Sequence, residues 1–260
     1  MPFAGIDVGS ITAEAVIVDD GKLINYVICQ TGVNSKAAAQ IALETVLGKT
    51  GLSWSDLNYI VSTGYGRVSV DIADKQVTEI TCHGVGAYFQ NNLVRTVIDI
   101  GGQDSKVIRL DDRGRVTDFA MNDKCAAGTG RFLEMMAGAL EVNLDQLANL
   151  SNVSSNPVSI SSMCTVFAES EVVSLIARGQ PREDIARGLH QAIAERTAGL
   201  IGRVGFVEKV MMTGGVALNS AVVQAIGDKL KTQILVPREP QITGALGAAL
   251  LAEAEYKAAG

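Results

Sequence analysis

Residues 3–20 read FAGIDVGSITAEAVIVDD, and residues 97–112, VIDIGGQDSKVIRLDD, repeat their pattern. Asp7 in the first copy matches Asp99 in the second, 92 residues later. The acidic pairs that end the two copies, Asp19-Asp20 and Asp111-Asp112, have the same offset. Each copy has an apolar run, a glycine turn and a second apolar run, which predicts a strand, a tight turn and a returning strand. Because the Asp is in register, the repeat predicts two similar halves that face each other across a cleft.

Both turns carry residues suited to phosphate. Glycine lets a ligand approach the backbone, and the hydroxyls of Ser10 and Thr12 can donate to phosphate oxygens. An ordinary hairpin also favours Gly, Asp and Ser, so the first copy alone leaves the two interpretations equal. The repeat favours the phosphate interpretation, because opposed Asp carboxylates and glycine turns suit one magnesium-bound polyphosphate.

The remaining segments predict alternating strands and helices. Helices are expected over residues 35–51, 79–92 and 181–201, and strands that run into glycines over 59–67 and 209–215. The last of these is followed by a helical run. Such a strand–glycine–helix element can receive a flat ring and ribose against its bare backbone.

Two histidines lie in these helices. Cys82 and His83 are adjacent and invite a metal interpretation, but an isolated Cys-His pair on a helix is more often core packing. We therefore interpret this pair as core residues. His190 is expected on the surface of its helix.

Composition limits the classes of function. The formal net charge of −6 and the pI near 5.0 argue against nucleic acid or an anionic membrane as a bulk partner. The N-terminal MPFAGIDVGS lacks the pattern of a secretory signal, and no run of about 18 apolar residues occurs. We therefore expect a cytoplasmic, soluble protein whose four cysteines are reduced.

Two cysteines precede predicted helices. Cys125 lies in NDKCAAGTGRFLEMM (122–136), and Cys164 in SSMCTVFAESEVVSLIARG (161–179). The start of a helix stabilises a thiolate by about 0.3 to 1 kcal/mol. Two thiolates are half of a four-cysteine iron–sulfur or zinc centre, and a two-fold dimer supplies the other half. Two buried free thiols are the alternative, favoured by the lack of a CxxC motif.

The segment after Cys125 also has a possible role in nucleotide binding. Gly128 and Thr129 open the helix that follows, so backbone N–H groups there can meet a phosphate. One loop would then contact nucleotide at one end and carry a candidate metal ligand at the other. A glycine-rich helix start without a ligand is the alternative, because a short GxG is weak evidence.

The order of the motifs resembles a superfamily. The chain resembles the sugar kinase, heat-shock ATPase and actin superfamily over nearly its whole length. The resemblance rests on the order of five elements: a phosphate turn at 5–20, a crossing helix near 82–92, a second phosphate turn at 97–110, TGG at 213–215 and the crossing helix ITGALGAAL at 242–250. The segments NDKCAAGTGRF and SSMCTVFAESE resemble a narrower family, the ATPase activators of 2-hydroxyacyl-CoA dehydratases. The ATPase subunits of benzoyl-CoA reductases are close relatives of that family.

This resemblance implies an α/β fold. It implies two ribonuclease-H-like (actin-like ATPase) halves with mixed sheets flanked by helices and a nucleotide cleft between them. We expect an N-terminal half over residues 1–94, to which a helix at 243–260 crosses back, and a C-terminal half over 95–242 that carries the cysteines. The implied cofactors are ATP or ADP, Mg²⁺ and one [4Fe-4S] cluster per homodimer.

The resemblance also implies roles for particular residues. Cys125 and Cys164 of each chain would hold the cluster, and Asp7 and Asp99 would face Mg²⁺. The attacking water would be oriented by the residues that follow the second glycine pair, Gln103 and Asp104, whose separate roles stay open. The candidate nucleotide-binding residues are Gly9, Ser10, Thr12, Gly101, Gly102, Gln103, Gly128, Thr129, Gly214, Gly215 and Asn219.

The implied function is an ATPase coupled to one-electron transfer. It would inject a low-potential electron into a partner 2-hydroxyacyl-CoA dehydratase, with 2-hydroxyglutaryl-CoA as the favoured substrate of that partner and a ferredoxin or flavodoxin as donor. One rival is a small-molecule kinase in which Asp104 is the base. Others are a subunit of a benzoyl-CoA reductase-type enzyme, a nucleotide-sensing module, and a zinc-stapled dimer.

Overall fold

The computed structural model describes residues 1–161 and 164–259. The chain divides into two compact units, each built from separate stretches: unit 1 from Met1–Val97, Ile108–Thr117 and Pro237–Gly260, and unit 2 from Ile98–Val107 and Asp118–Val236. The domain boundary predicted near residue 94 and the cleft between two halves stay predictions.

Within the described ranges, ten strands form two sheets of five. They are β1 (Pro2–Val8), β2 (Thr12–Asp19), β3 (Lys22–Gln30), β4 (Ile60–Thr63), β5 (Lys75–Gln76), β6 (Thr96–Ile100), β7 (Ser105–Leu110), β8 (Val116–Asn122), β9 (Val210–Thr213) and β10 (Ile234–Leu235). The first sheet has the order β3-β2-β1-β4-β5, and the second has the order β8-β7-β6-β9-β10. The two orders are the same strand for strand, as expected for two ribonuclease-H-like halves.

The first sheet is mixed. β1 runs antiparallel to β2 and parallel to β4, so Asp7 is opposite Glu14 on one side and Thr63 on the other. β1 and β2 are almost completely buried apolar strands, which suits a central position with layers on both faces. The predicted strand, turn and returning strand over residues 3–20 are confirmed.

The part of the chain that the structure describes also contains eight α-helices. They are α1 (Ser35–Thr50), α2 (Glu79–Gln90), α3 (Gly130–Ala139), α4 (Leu144–Val153), α5 (Thr165–Ala177), α6 (Arg182–Val204), α7 (Ser220–Leu230) and α8 (Thr243–Ala259). The caps explain the ends of α1, because Asn34 accepts a hydrogen bond from Ala37 N and Gly51 ends the helix with a φ of 70°. No helix in the described ranges is long and apolar enough to cross a membrane.

The core of unit 2 surrounds α6, which packs against α4, α5 and α7. Its apolar residues are Ile, Leu, Val, Met and Ala with very few aromatics, in line with a composition of only 5% aromatic residues. These contacts bury α6 on several sides although its sequence is rich in charge.

In unit 1, α2 and α8 cross at glycines, and α8 packs on the first sheet. A Cβ added to Gly247 would overlap the Cys82 carbonyl oxygen, and one added to Gly86 would overlap the Thr243 carbonyl oxygen. Cys82 is fully buried at this crossing, and burial raises the pKa of its thiol to about 12. The interpretation of Cys82 as a core residue agrees with this environment.

We expect Gly247→Ala to destabilise the protein by about 1 to 3 kcal/mol, because the added methyl group forces the two helices apart. The measurement is the midpoint of urea unfolding. Gly48→Ala is the matched control, since Gly48 lies inside α1 and an added Cβ there meets open space. The control is expected to stabilise the helix by about 0.5 to 1 kcal/mol. Equal midpoints for the two variants would contradict this packing.

Candidate functional site

The first candidate phosphate turn lies in unit 1, between β1 and β2. Gly9 N donates to the Thr12 carbonyl at 2.9 Å, and Thr31 Oγ1 donates to the Gly9 carbonyl, also at 2.9 Å. Gly9, Ser10 and Thr12 are half-buried, so they remain accessible to a ligand. The predicted residues Asp7, Gly9, Ser10 and Thr12 are therefore brought together at the end of β1.

The carboxylate of Asp7 is buried among close neighbours. His83 Nε2 lies 3.8 Å from Asp7 Oδ2, and both side chains are almost fully buried. A Cβ added at Gly64 or Gly244 would overlap this carboxylate, so two backbone segments approach it where only glycine fits. His83 is in the core, as interpreted, but its contact with Asp7 was missed because sequence spacing does not reveal it.

The second candidate phosphate turn lies in unit 2, between β6 and β7. Gly101 N donates to the Asp104 carbonyl at 3.0 Å and closes the turn. Asp99 is buried on β6, Gly102 and Asp104 are half-buried, and Gln103 is exposed. Of the five residues predicted here, Gly101, Gly102, Gln103 and Asp104 thus lie in the turn, and Asp99 lies on the strand that leads into it.

A buried lysine joins the acidic residues of the second turn. Lys106 Nζ lies 3.1 Å from Asp99 Oδ2 and 2.7 Å from Asp104 Oδ2, with only 3% of its side chain exposed. Thr213 Oγ1 donates to Asp99 Oδ1 at 2.9 Å, so both oxygens of Asp99 are engaged. Neither Lys106 nor Thr213 was predicted as a site residue. Lysine is almost never fully buried unless its charge is paired, so the two carboxylates account for the burial of Lys106.

Asp7 and Asp99, the matched acidic residues of the two copies, each have a Thr-Gly pair beside them. Thr213 is followed by Gly214, and a Cβ there would lie 2.9 Å from Asp99 Oδ1. Thr63 is followed by Gly64, which makes the equivalent close approach to Asp7. Both glycines have left-handed φ angles, 81° and 86°. The repeated letters TG were the available signal for this feature.

The candidate adenosine element follows Gly214 in unit 2. Gly215 begins a short 3₁₀ turn that ends at Leu218. Asn219 Oδ1 then accepts hydrogen bonds from Ala221 N at 3.1 Å and Val222 N at 3.2 Å, which caps α7. Asn219 therefore fixes the start of α7, and the glycines leave bare backbone in front of it.

The start of α3 is tied to the second turn. Thr129 Oγ1 donates to the Gly102 carbonyl at 3.0 Å, and Gly130 N donates to the Gly101 carbonyl at 2.9 Å. The next N–H group of the helix donates to the Gly102 carbonyl, also at 2.9 Å. Gly128 turns the chain into the helix with a φ of 87°. Nucleotide contacts of Gly128 and Thr129 stay a prediction.

The two candidate metal ligands precede neighbouring helices in unit 2, although Cys125 lies five residues before Gly130, where α3 begins. Cys125 is half-buried beside the core, and Asn122 Nδ2 donates to its carbonyl at 2.9 Å. Cys164 is half-buried and occupies the N-cap of α5, where its side chain makes no capping hydrogen bond. α3 and α5 pack against each other. The two residues before Cys164, part of the SSMC motif, lie outside the described residues.

The donor set of one chain is half of a four-cysteine site. Within residues 1–161 and 164–259, no three His, Cys, Asp or Glu side chains form a group that could hold a metal ion. The four cysteines of the sequence are in the thiol form. Cys125 and Cys164 thus fit a cluster only if a second copy supplies two more thiolates.

Comparison with known proteins identifies the family. Residues 4–252 match the BadF/BadG/BcrA/BcrD ATPase family, so the match spans both glycine turns and both candidate ligand cysteines. The chain belongs to this ATPase family. The family resemblance inferred from the two cysteine segments and the turn order is confirmed.

Two relatives cover nearly the whole of this ATPase. The activator of lactoyl-CoA dehydratase from Anaerotignum propionicum is 51% identical over 98% of this chain and 97% of its own length. The (R)-2-hydroxyglutaryl-CoA dehydratase activating ATPase from Acidaminococcus fermentans is 48% identical over 95% of each chain.

A solved structure is similar to this ATPase over its full length. It is the activator of the 2-hydroxyisocaproyl-CoA dehydratase from Clostridium difficile with bound ADPNP, with a TM-score of 0.93 and 46% identity. The similarity covers 100% of this chain and 97% of that chain. The predicted α/β fold with two mixed sheets flanked by helices is confirmed.

The placement of His190 in this ATPase corrects an expectation. We expected it on the surface of its helix, but it is fully buried, because α4 and α7 both pack against α6. Its Nδ1 has no hydrogen-bond partner in the described part of the chain, and its Nε2 lies 3.5 Å from Asn219 Nδ2. Burial lowers the pKa of His190 from 6.5 to about 4, so its ring is neutral at neutral pH.

This burial predicts a loss of stability in acid. The unfolded chain binds a proton at His190 below pH 6.5 whereas the folded chain resists it down to about pH 4. The stability that the neutral His190 ring contributes to the folded state is therefore fully present above pH 6.5 and is lost as the pH falls toward 4. The free energy of unfolding should fall by roughly 3 kcal/mol more in the unaltered protein than in His190→Phe across this window. If the free energy of unfolding depended on pH in the same way in both proteins, His190 would not be held neutral by burial.

Proposed function

We propose that this chain is an ATP-hydrolysing activator that delivers single low-potential electrons to a partner 2-hydroxyacyl-CoA dehydratase. The observation that carries the proposal is the 51% identity, over nearly the full length of both chains, to an activator of lactoyl-CoA dehydratase. The two thiols that precede α3 and α5 support the electron-transfer part, because a pure ATPase has no need of them.

The nucleotide is proposed to bind at the glycine turns. ATP phosphates would meet Gly9, Ser10 and Thr12 in unit 1, and the Gly101–Asp104 turn in unit 2, with the adenosine on the Gly214–Asn219 element. The accessible backbone and hydroxyls of these turns support this assignment. The C. difficile relative was solved with bound ADPNP, a nucleotide analogue, which adds support.

The catalytic assignments follow from charge and burial. Mg²⁺ takes one or two carboxylates plus phosphate oxygens and retains several waters. Asp7 and Asp99 are the carboxylates proposed to face it, and Asp99 can do so through water while it keeps its contacts with Lys106 and Thr213. Gln103 and Asp104 are proposed to orient the attacking water, since they follow the glycines and are the more accessible polar residues of the turn. Phosphoryl transfer to water then requires positioning and charge stabilisation rather than a covalent nucleophile.

A [4Fe-4S] cluster shared by a homodimer is proposed as the redox group. Cys125 and Cys164 of each copy would hold it, and when bound it would supply a one-electron carrier. The surface next to Cys164 supports a dimer contact, because α5 exposes Val166, Phe167 and Val173 by more than half. A zinc staple would use the same four thiolates, and iron analysis distinguishes the two.

A coupling route within unit 2 supports the link between hydrolysis and electron transfer. Three hydrogen bonds join the carbonyls of Gly101 and Gly102 to the start of α3, which begins at Gly130, five residues after Cys125. A change in the second turn on loss of the γ-phosphate would therefore be carried to the segment that holds this thiol. Electrostatics and exposure at cluster sulfurs are levers on its potential.

The proposed partners are a second copy of the chain, a dehydratase and a donor such as a ferredoxin or flavodoxin. The relatives are named for lactoyl-CoA, 2-hydroxyglutaryl-CoA and 2-hydroxyisocaproyl-CoA at similar identity. We retain 2-hydroxyglutaryl-CoA as one candidate substrate of the partner beside the other two.

The test is activation of a 2-hydroxyacyl-CoA dehydratase under anaerobic conditions. With a reductant and ATP, the protein should switch on dehydration, and ATP replaced by ADPNP should abolish repeated activation. Phosphate should be released from ATP with water as the only acceptor. ADP formation that appears only on addition of a small hydroxylated acceptor, with the γ-phosphoryl group transferred to the acceptor hydroxyl, would favour the kinase and reject the activator.

A further inference from the structure

Lys106, Asp99 and Asp104 form an array of three charged side chains in unit 2. Its ammonium contacts Asp104 Oδ2 at 2.7 Å and Asp99 Oδ2 at 3.1 Å. The second oxygen of Asp99 accepts from the Thr213 hydroxyl at 2.9 Å. Asp99 and Lys106 are almost completely buried, whereas Asp104 has 26% of its side chain exposed. The array therefore extends from the core to the accessible turn.

The charges of the array require the lysine. Two carboxylates that share one site repel each other, and a cation between them offsets this repulsion. The ammonium reduces the net charge of the three groups from −2 to −1, which also lessens repulsion of a polyphosphate brought to the turn. A buried ammonium in turn depends on both carboxylates, since an unpaired charge there is strongly disfavoured.

The orientation of Asp104 depends on this contact more than that of Asp99. Asp99 is held on β6 by the strand and by Thr213, so it has fixed partners besides the lysine. Asp104 lies in the turn, and its backbone carbonyl accepts from Gly101 N at 3.0 Å, which fixes the main chain of the turn. The 2.7 Å contact from Lys106 then sets the direction of the carboxylate.

We propose that Lys106 is a positioning residue of the ATPase reaction, which acts by holding the Asp104 carboxylate aimed at the water beside the γ-phosphate. This inference rests on the proposed role of Asp104. A small displacement of a group that orients a reactant costs about 10²-fold in rate, so the effect is expected in kcat rather than in KM.

A double-mutant cycle on the full-length protein tests the proposal. We expect Lys106→Met and Asp104→Asn each to lower kcat for ATP hydrolysis by about 10- to 100-fold. The double variant should be no slower than the slower single variant, because both changes remove the same oriented carboxylate. The affinity for a fluorescent ADP analogue, measured without turnover, should change by less than about tenfold in every variant and so report intact binding. Lys229→Met is the matched control, since Lys229 has an exposed ion pair with Glu195 in the same unit.

A second variant keeps the test decisive if Lys106→Met does not fold. Lys106→Arg keeps the positive charge but replaces a point charge by a wider planar group, which shifts Asp104. We expect unchanged thermal unfolding and ADP affinity, with kcat lowered several-fold. Unaltered kcat in Lys106→Arg, or effects of Lys106→Met and Asp104→Asn that multiply independently, would assign Lys106 a structural role and overturn the proposal.

The outcomes separate this inference from the proposed function. Absence of ATP hydrolysis by the unaltered protein would reject the proposed function. Full activity of Asp104→Asn would reject the role of Asp104, and this proposal with it. A slow Asp104→Asn beside a folded, fully active Lys106→Met would overturn the role of Lys106 alone.

Discussion

Cys125→Ser and Cys164→Ser are each expected to reduce the iron content of the anaerobically purified protein from about two atoms per chain to almost none. A serine hydroxyl stays protonated at neutral pH and does not replace a thiolate as a ligand. Loss of one ligand from each chain removes two of the four in the shared site. The measurement is iron and acid-labile sulfide per chain.

Cys29→Ser is the matched control for these variants. Cys29 lies on β3 in unit 1, half-buried, with its Sγ 3.4 Å from the Ala13 carbonyl. Burial raises the pKa of the Cys29 thiol, with a further contribution from Glu14, so it is poorly suited to act as a thiolate ligand. The control should keep its iron. Cys125→Ser protein with the iron content of the unaltered protein would contradict the ligand assignment.

Asp7→Asn is expected to slow ATP hydrolysis by about 10²-fold or more, and to raise the Mg²⁺ concentration needed for half-maximal rate. An amide lacks the negative charge that attracts the metal ion, although it keeps the shape of the side chain. The Asp7 side chain is buried beside His83, with 7% of the residue exposed. The substitution therefore also removes the negative charge that faces His83. The measurement is phosphate release as a function of Mg²⁺ concentration.

Asp228→Asn is the control for Asp7→Asn, because Asp228 is exposed on α7 and belongs to no proposed site. Thermal unfolding of both variants shows whether the fold is retained. A folded Asp7→Asn protein that hydrolyses ATP at the original rate, with the original dependence on Mg²⁺, would exclude the proposed role of Asp7.

The repeated turn was predictable because it depends on local chemistry. Glycine and Asp between two apolar runs also suit an ordinary hairpin, but the offset of 92 residues tied the two copies together and favoured the phosphate interpretation. The related Thr-Gly repeat was missed because its spacing differs. Thr63 comes 56 residues after Asp7, but Thr213 comes 114 residues after Asp99, since α3, α4 and α5 occupy the additional length.

The basic partners of the two Asp residues were not predictable from local patterns. Lys106 and His83 are placed by the sheet and by the crossing of α2 and α8, and a sequence pattern assigns a lysine to solvent by default. His190 was misplaced for a similar reason. The charged residues of α6 indicate an exposed helix, whereas its contacts with α4 and α7 bury the histidine between them. Tertiary packing decided these positions.

The most direct test of the account is iron and acid-labile sulfide per chain, with the visible absorption spectrum, on protein purified without oxygen and then exposed to air. The account predicts about two iron and two sulfide per chain, which corresponds to one four-iron cluster per dimer, and a colour that air bleaches. Colourless protein without iron, purified anaerobically from iron-replete cells, would contradict it and leave Cys125 and Cys164 as core thiols or zinc ligands.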